Sequence, residues 1–162
     1  MLKKQTNYYF LVLFSLLPIT IIIGSAASLV NILIIDLSFI ILIFFSKNYV
    51  FLKSEPIKYL ILFYFYLIFN TFISLDYEIG LSRNLGFLRV IVLFAAFNYF
   101  FNDKAFIRKV LYAWSLTICI VLFDVFWESL MGHNTLGFGG GQYGKRIVSF
   151  FEDEPIVGGF IN

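Results

Sequence analysis

One cysteine, one histidine, three prolines and a charged fraction of 14% are unusually little for 162 residues, and each shortage closes off a class of function. Cys119 has no second cysteine to pair with, and its apolar surroundings make it a small packing residue. His133 has no other histidine or cysteine beside it, so metal-ligand spacing is missing and no metal site is expected. An ordinary soluble domain carries about 25% charged residues. The 12 basic and 10 acidic residues here leave a net charge of +2, scattered without a continuous patch and too small to imply nucleic acid, so no nucleic-acid partner is expected. No cofactor is expected either. Gly139 to Lys145 comes near the phosphate loop GxxxxGK[ST], but Arg146 stands where the metal-binding hydroxyl belongs and no strand precedes it.

What the chain has in excess is apolar surface: 60% hydrophobic residues, 21% aromatic, and a mean hydropathy of +0.89. A water-soluble fold of this size has too little interior to hide it. The expected fold is all-α: one transmembrane domain over residues 1–162, a bundle of about five spans plus the start of a sixth. The uncharged run from Gln5 to Ile35 is too long for one helix and breaks at Gly24-Ser25-Ala26-Ala27-Ser28. Span one is placed at Tyr8–Ile23 and read as uncleaved, and span two at Leu29–Ser46. Spans three, four and five follow at Lys58–Ile73, Leu85–Phe101 and Ile107–Trp127. Each approaches the roughly 20 apolar residues that cross a bilayer. Pro18 predicts a kink within span one, its freed carbonyl satisfied by a neighbouring helix.

The basic residues sort by side. Lys3, Lys4, Lys47, Lys53, Lys58, Lys104, Arg108 and Lys109 make eight on one side, against Arg83, Arg89, Lys145 and Arg146, four, on the other. The positive-inside rule then puts the N-terminus in the cytoplasm and the glycine-rich tail outside. Spans one and two should form a tight hairpin. A polar outer segment covers 128–155, and Ile156 opens an apolar stretch that reads as the beginning of a sixth span, so a piece of a longer protein is expected.

Ionisable residues within spans are costly and tend to mark function. Asp36, Arg89 and Asp124 are each expected near the outer boundary, around one cavity with Arg83, Glu128 and Arg146. Against this stand plainer readings: Asp36 in the headgroup region, Arg89 snorkelling from the lipid face, and Asp124 with Glu128, four residues on, marking a wet helix end. In the tail, glycines let backbone N–H groups approach an anion, and Lys145 and Arg146 supply positive charge. The plain alternative is a flexible loop with two solvated bases. Glu152, Asp153 and Glu154 before Pro155 read as the cap of a following helix.

Four features together resemble the N-terminal part of the bacterial O-antigen ligase and polysaccharide polymerase family. Leu17-Pro18 precedes the Gly24–Ser28 break; Ser82-Arg83-Asn84 precedes a span containing Leu88-Arg89; and Asp124 is followed by Gly132-His133-Asn134 and Gly137. Most specific is Arg146-Ile147-Val148-Ser149-Phe150-Phe151-Glu152-Asp153-Glu154-Pro155, followed by Ile156-Val157-Gly158. The family pattern is arginine, a variable residue, Ser-Gly, phenylalanine, an acidic pair, proline and a glycine-containing apolar run. This chain departs from it at Val148-Ser149.

The resemblance implies a multi-span protein of the bacterial inner membrane that moves a glycan from undecaprenyl diphosphate to an acceptor. Arg89 and Arg146 would bind the diphosphate, assisted by Arg83, with Lys145, Asp36 and Asp124 in support. It names no catalytic base, metal or cofactor in this chain, and it does not separate ligase from polymerase. The competing readings are a membrane transporter or polysaccharide-export component, and an inactive fragment or accessory subunit.

Overall fold

The computed structural model describes residues 2–47, 49–74, 77–137, 147 and 149–151. Every regular element among them is a helix: α1 (Leu2–Ile23), α2 (Ser25–Ser46), α3 (Glu55–Ile73), α4 (Tyr77–Gly86), α5 (Leu88–Phe100) and α6 (Lys104–Met131). Two 3-10 turns, Val50–Lys53 and Ser149–Phe151, complete the set. Four of the helices, α1, α2, α3 and α6, are long and apolar enough to cross a membrane. The chain is thus a helical, multi-pass membrane protein whose surroundings are lipid. Consistent with that, Phe44, Phe45, Phe65, Phe69, Phe72 and Tyr112 face outward.

The fourth expected span, Leu85–Phe101, is not one helix. Its first residues belong to α4, and α5 has 13 residues, about 20 Å at 1.5 Å per residue, against a hydrocarbon core of about 30 Å. The break falls at Phe87, whose N–H donates to Asn84 O at 3.2 Å in a tighter turn. Asn84 Nδ2 donates to Leu67 O at 3.1 Å and to Thr71 Oγ1 at 2.5 Å, which ties α4 to α3.

The chain divides into two compact units. The first comprises residues up to Asn31 and from Arg108 onward. Here α1 and α2 meet at the single residue Gly24, whose φ of +139° suits only glycine, and the hairpin is as tight as expected. Asn31 is buried and donates Nδ2 to Leu13 O at 3.3 Å across the pair. Phe10, Phe14 and Leu17 form the buried stripe of α1. Pro18 has no N–H to offer Phe14 O, and the indole Nε1 of Trp114 on α6 donates to that carbonyl at 2.8 Å. A neighbouring helix thus fills the vacancy that proline leaves. The Ser149–Phe151 turn packs on α1, with Phe151 against Val121.

The second unit spans Ile32–Ile107. Its interior is a cluster of rings in which Phe39 of α2 meets Phe51 at 5.3 Å, Tyr99 at 5.7 Å and Phe100 at 6.4 Å. Phe106 stacks on Phe100 at 5.3 Å. Ile91, Ala95 and Ala96 continue the buried stripe of α5. The C-terminal ends of α2 and α5 both lie at the Val50–Lys53 turn, so these helices run in the same direction and α3 runs against them.

Candidate functional site

The densest polar arrangement lies at the end of α6 in the first unit. Asp124 and Glu128 sit one helical turn apart on one face. Rather than marking a wet helix end, both are buried, at 0% and 5% exposure. The reason is what comes back to meet them. α6 ends at Gly132, whose N–H donates to Glu128 O at 2.8 Å and whose φ of +79° turns the chain sharply. Asn134 follows, fully buried, and its Oδ1 accepts the Leu136 N–H at 3.0 Å. Thr135 then donates to Asp124 Oδ1 twice, through its N–H at 2.9 Å and its hydroxyl at 2.5 Å.

Ser149 arrives from the far side of the loop and is held at three points. Its N–H donates to Glu128 Oε2 at 2.6 Å, its hydroxyl to Asp124 Oδ2 at 2.7 Å, and its carbonyl accepts Asn134 Nδ2 at 2.6 Å. A carboxylate taken out of water needs such donors, and bonds to a charged acceptor are the stronger kind. Asp124 has three. Both oxygens are therefore committed to holding a backbone N–H and two hydroxyls in place. The two flanks of residues 138–146 are pinned to the same end of α6. Lys145 and Arg146, together with the acidic run Glu152 to Glu154 and the apolar stretch from Ile156, lie outside the described residues.

In the second unit, Arg83 is exposed on α4 and Arg89 is exposed as the second residue of α5. Asp36 is 5% exposed, and neither of its oxygens has a hydrogen-bond partner. It lies deeper in its helix than expected, because α2 begins at Ser25 rather than Leu29 and makes Asp36 its twelfth residue. Gly24 alone makes the break, and Ser25 to Ser28 join the helix: the Ser28 N–H donates to Gly24 O and its hydroxyl to Ser25 O.

His133 is exposed, with Nδ1 3.1 Å from Asn134 O. Among the described residues no group of His, Cys, Asp or Glu could hold a metal ion. Sequence reasoning did not single out Asn134, Thr135 and Ser149 as functional residues. Their signal was the pair Asp124 and Glu128, facing one way in an apolar helix and requiring donors from somewhere. No protein-family model, curated protein or solved structure matches the chain.

Proposed function

We propose that the chain is part of an integral-membrane glycan transferase of the O-antigen ligase or polysaccharide polymerase kind. It lies in a bacterial inner membrane with its N-terminus in the cytoplasm. The observation that carries this reading is the backbone of Ser149. Its φ is +50°, in the left-handed region that glycine favours, and it occupies the position at which the resembling motif has glycine. The motif's Ser-Gly is replaced in residue type while the conformation a glycine would serve is kept. Bonds to Asp124, Glu128 and Asn134 offset the strain of a side chain there.

In the proposed reaction an acceptor hydroxyl attacks the anomeric carbon of the lipid-linked glycan. The carbon–oxygen bond to the diphosphate breaks, undecaprenyl diphosphate leaves, and the hydroxyl proton passes to a base. Arg146 and Arg89, with Arg83, meet the negative charge of the diphosphate, and Lys145 adds to the field. Arginine suits this because its planar fork pairs two phosphate oxygens and stays charged at any working pH. The test is glycan transfer in native membranes. Arg146→Ala and Arg89→Ala should each abolish transfer while the protein still inserts, and normal transfer by both would overturn the reading.

A second reading, a transporter or export component, is favoured by one observation: the buried, unpartnered carboxyl of Asp36 in the body of α2. Ion and proton pathways use groups of this kind.

A further inference from the structure

Asp36 has eleven residues of α2 before it and ten after it (Ser25 to Asp36, Asp36 to Ser46). That places it about 15 Å from either end at 1.5 Å per residue, the middle of a membrane-length helix. It belongs to the buried stripe Ile35, Asp36, Phe39 and Ile43, so its side chain turns inward rather than to lipid. Phe39 fixes the register by meeting Tyr99 and Phe100 of the parallel helix α5. One turn back along both helices, the residues of α5 level with Asp36 are the buried, small Ala95 and Ala96. Nothing in this stretch donates to either carboxyl oxygen.

α5, which meets this part of α2 through Tyr99 and Phe100, carries one charged residue, Arg89. Arg89 lies seven residues before Ala96, near the start of α5. It makes no hydrogen bond or ion pair with Asp36. An ionised carboxylate with no donor, amid apolar side chains at bilayer depth, costs several kcal/mol. A single proton removes that charge without a partner side chain and without a cavity.

We propose that Asp36 is a proton-binding site at the middle of α2, taking up and releasing a proton on the buried face that α2 shares with α5. The site is independent of the glycan that the protein handles. It adds a proton-carrying group to the buried face shared by α2 and α5, at the depth where a protein that couples its work to protons needs one.

Infrared difference spectroscopy on the full chain in lipid vesicles tests it, comparing wild type with Asp36→Asn. The expected result is a neutral carboxylic-acid C=O stretch that shifts in heavy water, weakens as pH is raised, and is lost in Asp36→Asn. Should that variant fail to fold, the wild type alone suffices. The apolar reagent dicyclohexylcarbodiimide adds to a protonated acid, and should modify the peptide containing Asp36, less so as pH rises, while a water-soluble carbodiimide leaves it untouched. A difference spectrum with only ionised-carboxylate bands, or no adduct at Asp36, would overturn the proposal. So would an acid band unchanged at every pH at which the protein stays folded, since a permanently neutral acid is structural.

Discussion

Ser149 donates its hydroxyl to Asp124 across 2.7 Å and 25 positions of chain, and both residues are at 0% exposure. Ser149 also stands at a φ of +50°. The two facts oppose each other energetically, and substitution separates them. Ser149→Ala loses the hydroxyl bond and keeps the strain. Ser149→Gly loses the same bond and relieves the strain, about 1 kcal/mol for a non-glycine residue in this region. Glycine should therefore be the milder change by about 1 kcal/mol, read as the difference in thermal midpoint in detergent. Equal losses would mean that the left-handed backbone carries no strain.

Asp124 gathers three donors from two residues. Asp124→Ala leaves the Thr135 N–H, the Thr135 hydroxyl and the Ser149 hydroxyl without their acceptor. Hydrogen bonds to a charged group contribute about 1.5–3 kcal/mol each and do not simply add. A loss of about 3 kcal/mol or more is expected. Limited proteolysis should then cut between Gly132 and Ser149 faster than in wild type, while the body of α6 stays protected. Unchanged cleavage would show that Asp124 does not hold the loop.

The Pro18–Trp114 relationship calls for a double-mutant cycle. Trp114→Phe leaves Phe14 O without its donor, at a cost of about 1–3 kcal/mol. Pro18→Ala supplies a backbone N–H that can take the same carbonyl. In that background Trp114→Phe should cost distinctly less, giving a coupling of about 1 kcal/mol in the unfolding free energy. Additive losses would show that the indole bond does not compensate for proline.

Two glycines of α4 should respond in opposite directions. A Cβ at Gly80 would meet Thr71 Cγ2 at 3.3 Å, on the side where Asn84 already ties the helices together, whereas one at Gly86 meets nothing within 4 Å. Gly86→Ala should raise stability by up to about 1 kcal/mol, from helix propensity and the lower entropy of the unfolded chain. Gly80→Ala should lower stability or leave it unimproved. Thermal midpoints of the two variants, compared directly, decide this.

Hydrophobic runs and their breaks made most of the fold legible. Gly24 ended one helix and started the next because no other residue reaches its backbone angle comfortably, and Pro18 foretold a donor from elsewhere, which proved to be Trp114. The division of the expected fourth span was not legible. The apolar run is nearly continuous through Phe87, while Asn84 ties α4 to α3 by a side-chain bond that hydropathy does not show. Glu128 and Asp124 read as a solvated helix end because the local pattern holds no information about a segment returning 21 to 25 positions later. The same blindness hid Asn134 and Ser149. Asp36 sits deeper in its helix than hydropathy alone indicates, because α2 starts four residues earlier, at Ser25.

The most direct test of the central claim is binding of undecaprenyl diphosphate to the purified chain in detergent, with undecaprenyl alcohol as the control for the lipid tail. The account predicts that the diphosphate binds much more tightly than the alcohol, and that Arg146→Ala and Arg89→Ala each remove most of that preference. Equal binding of the two lipids, or a preference that survives both substitutions, would contradict it.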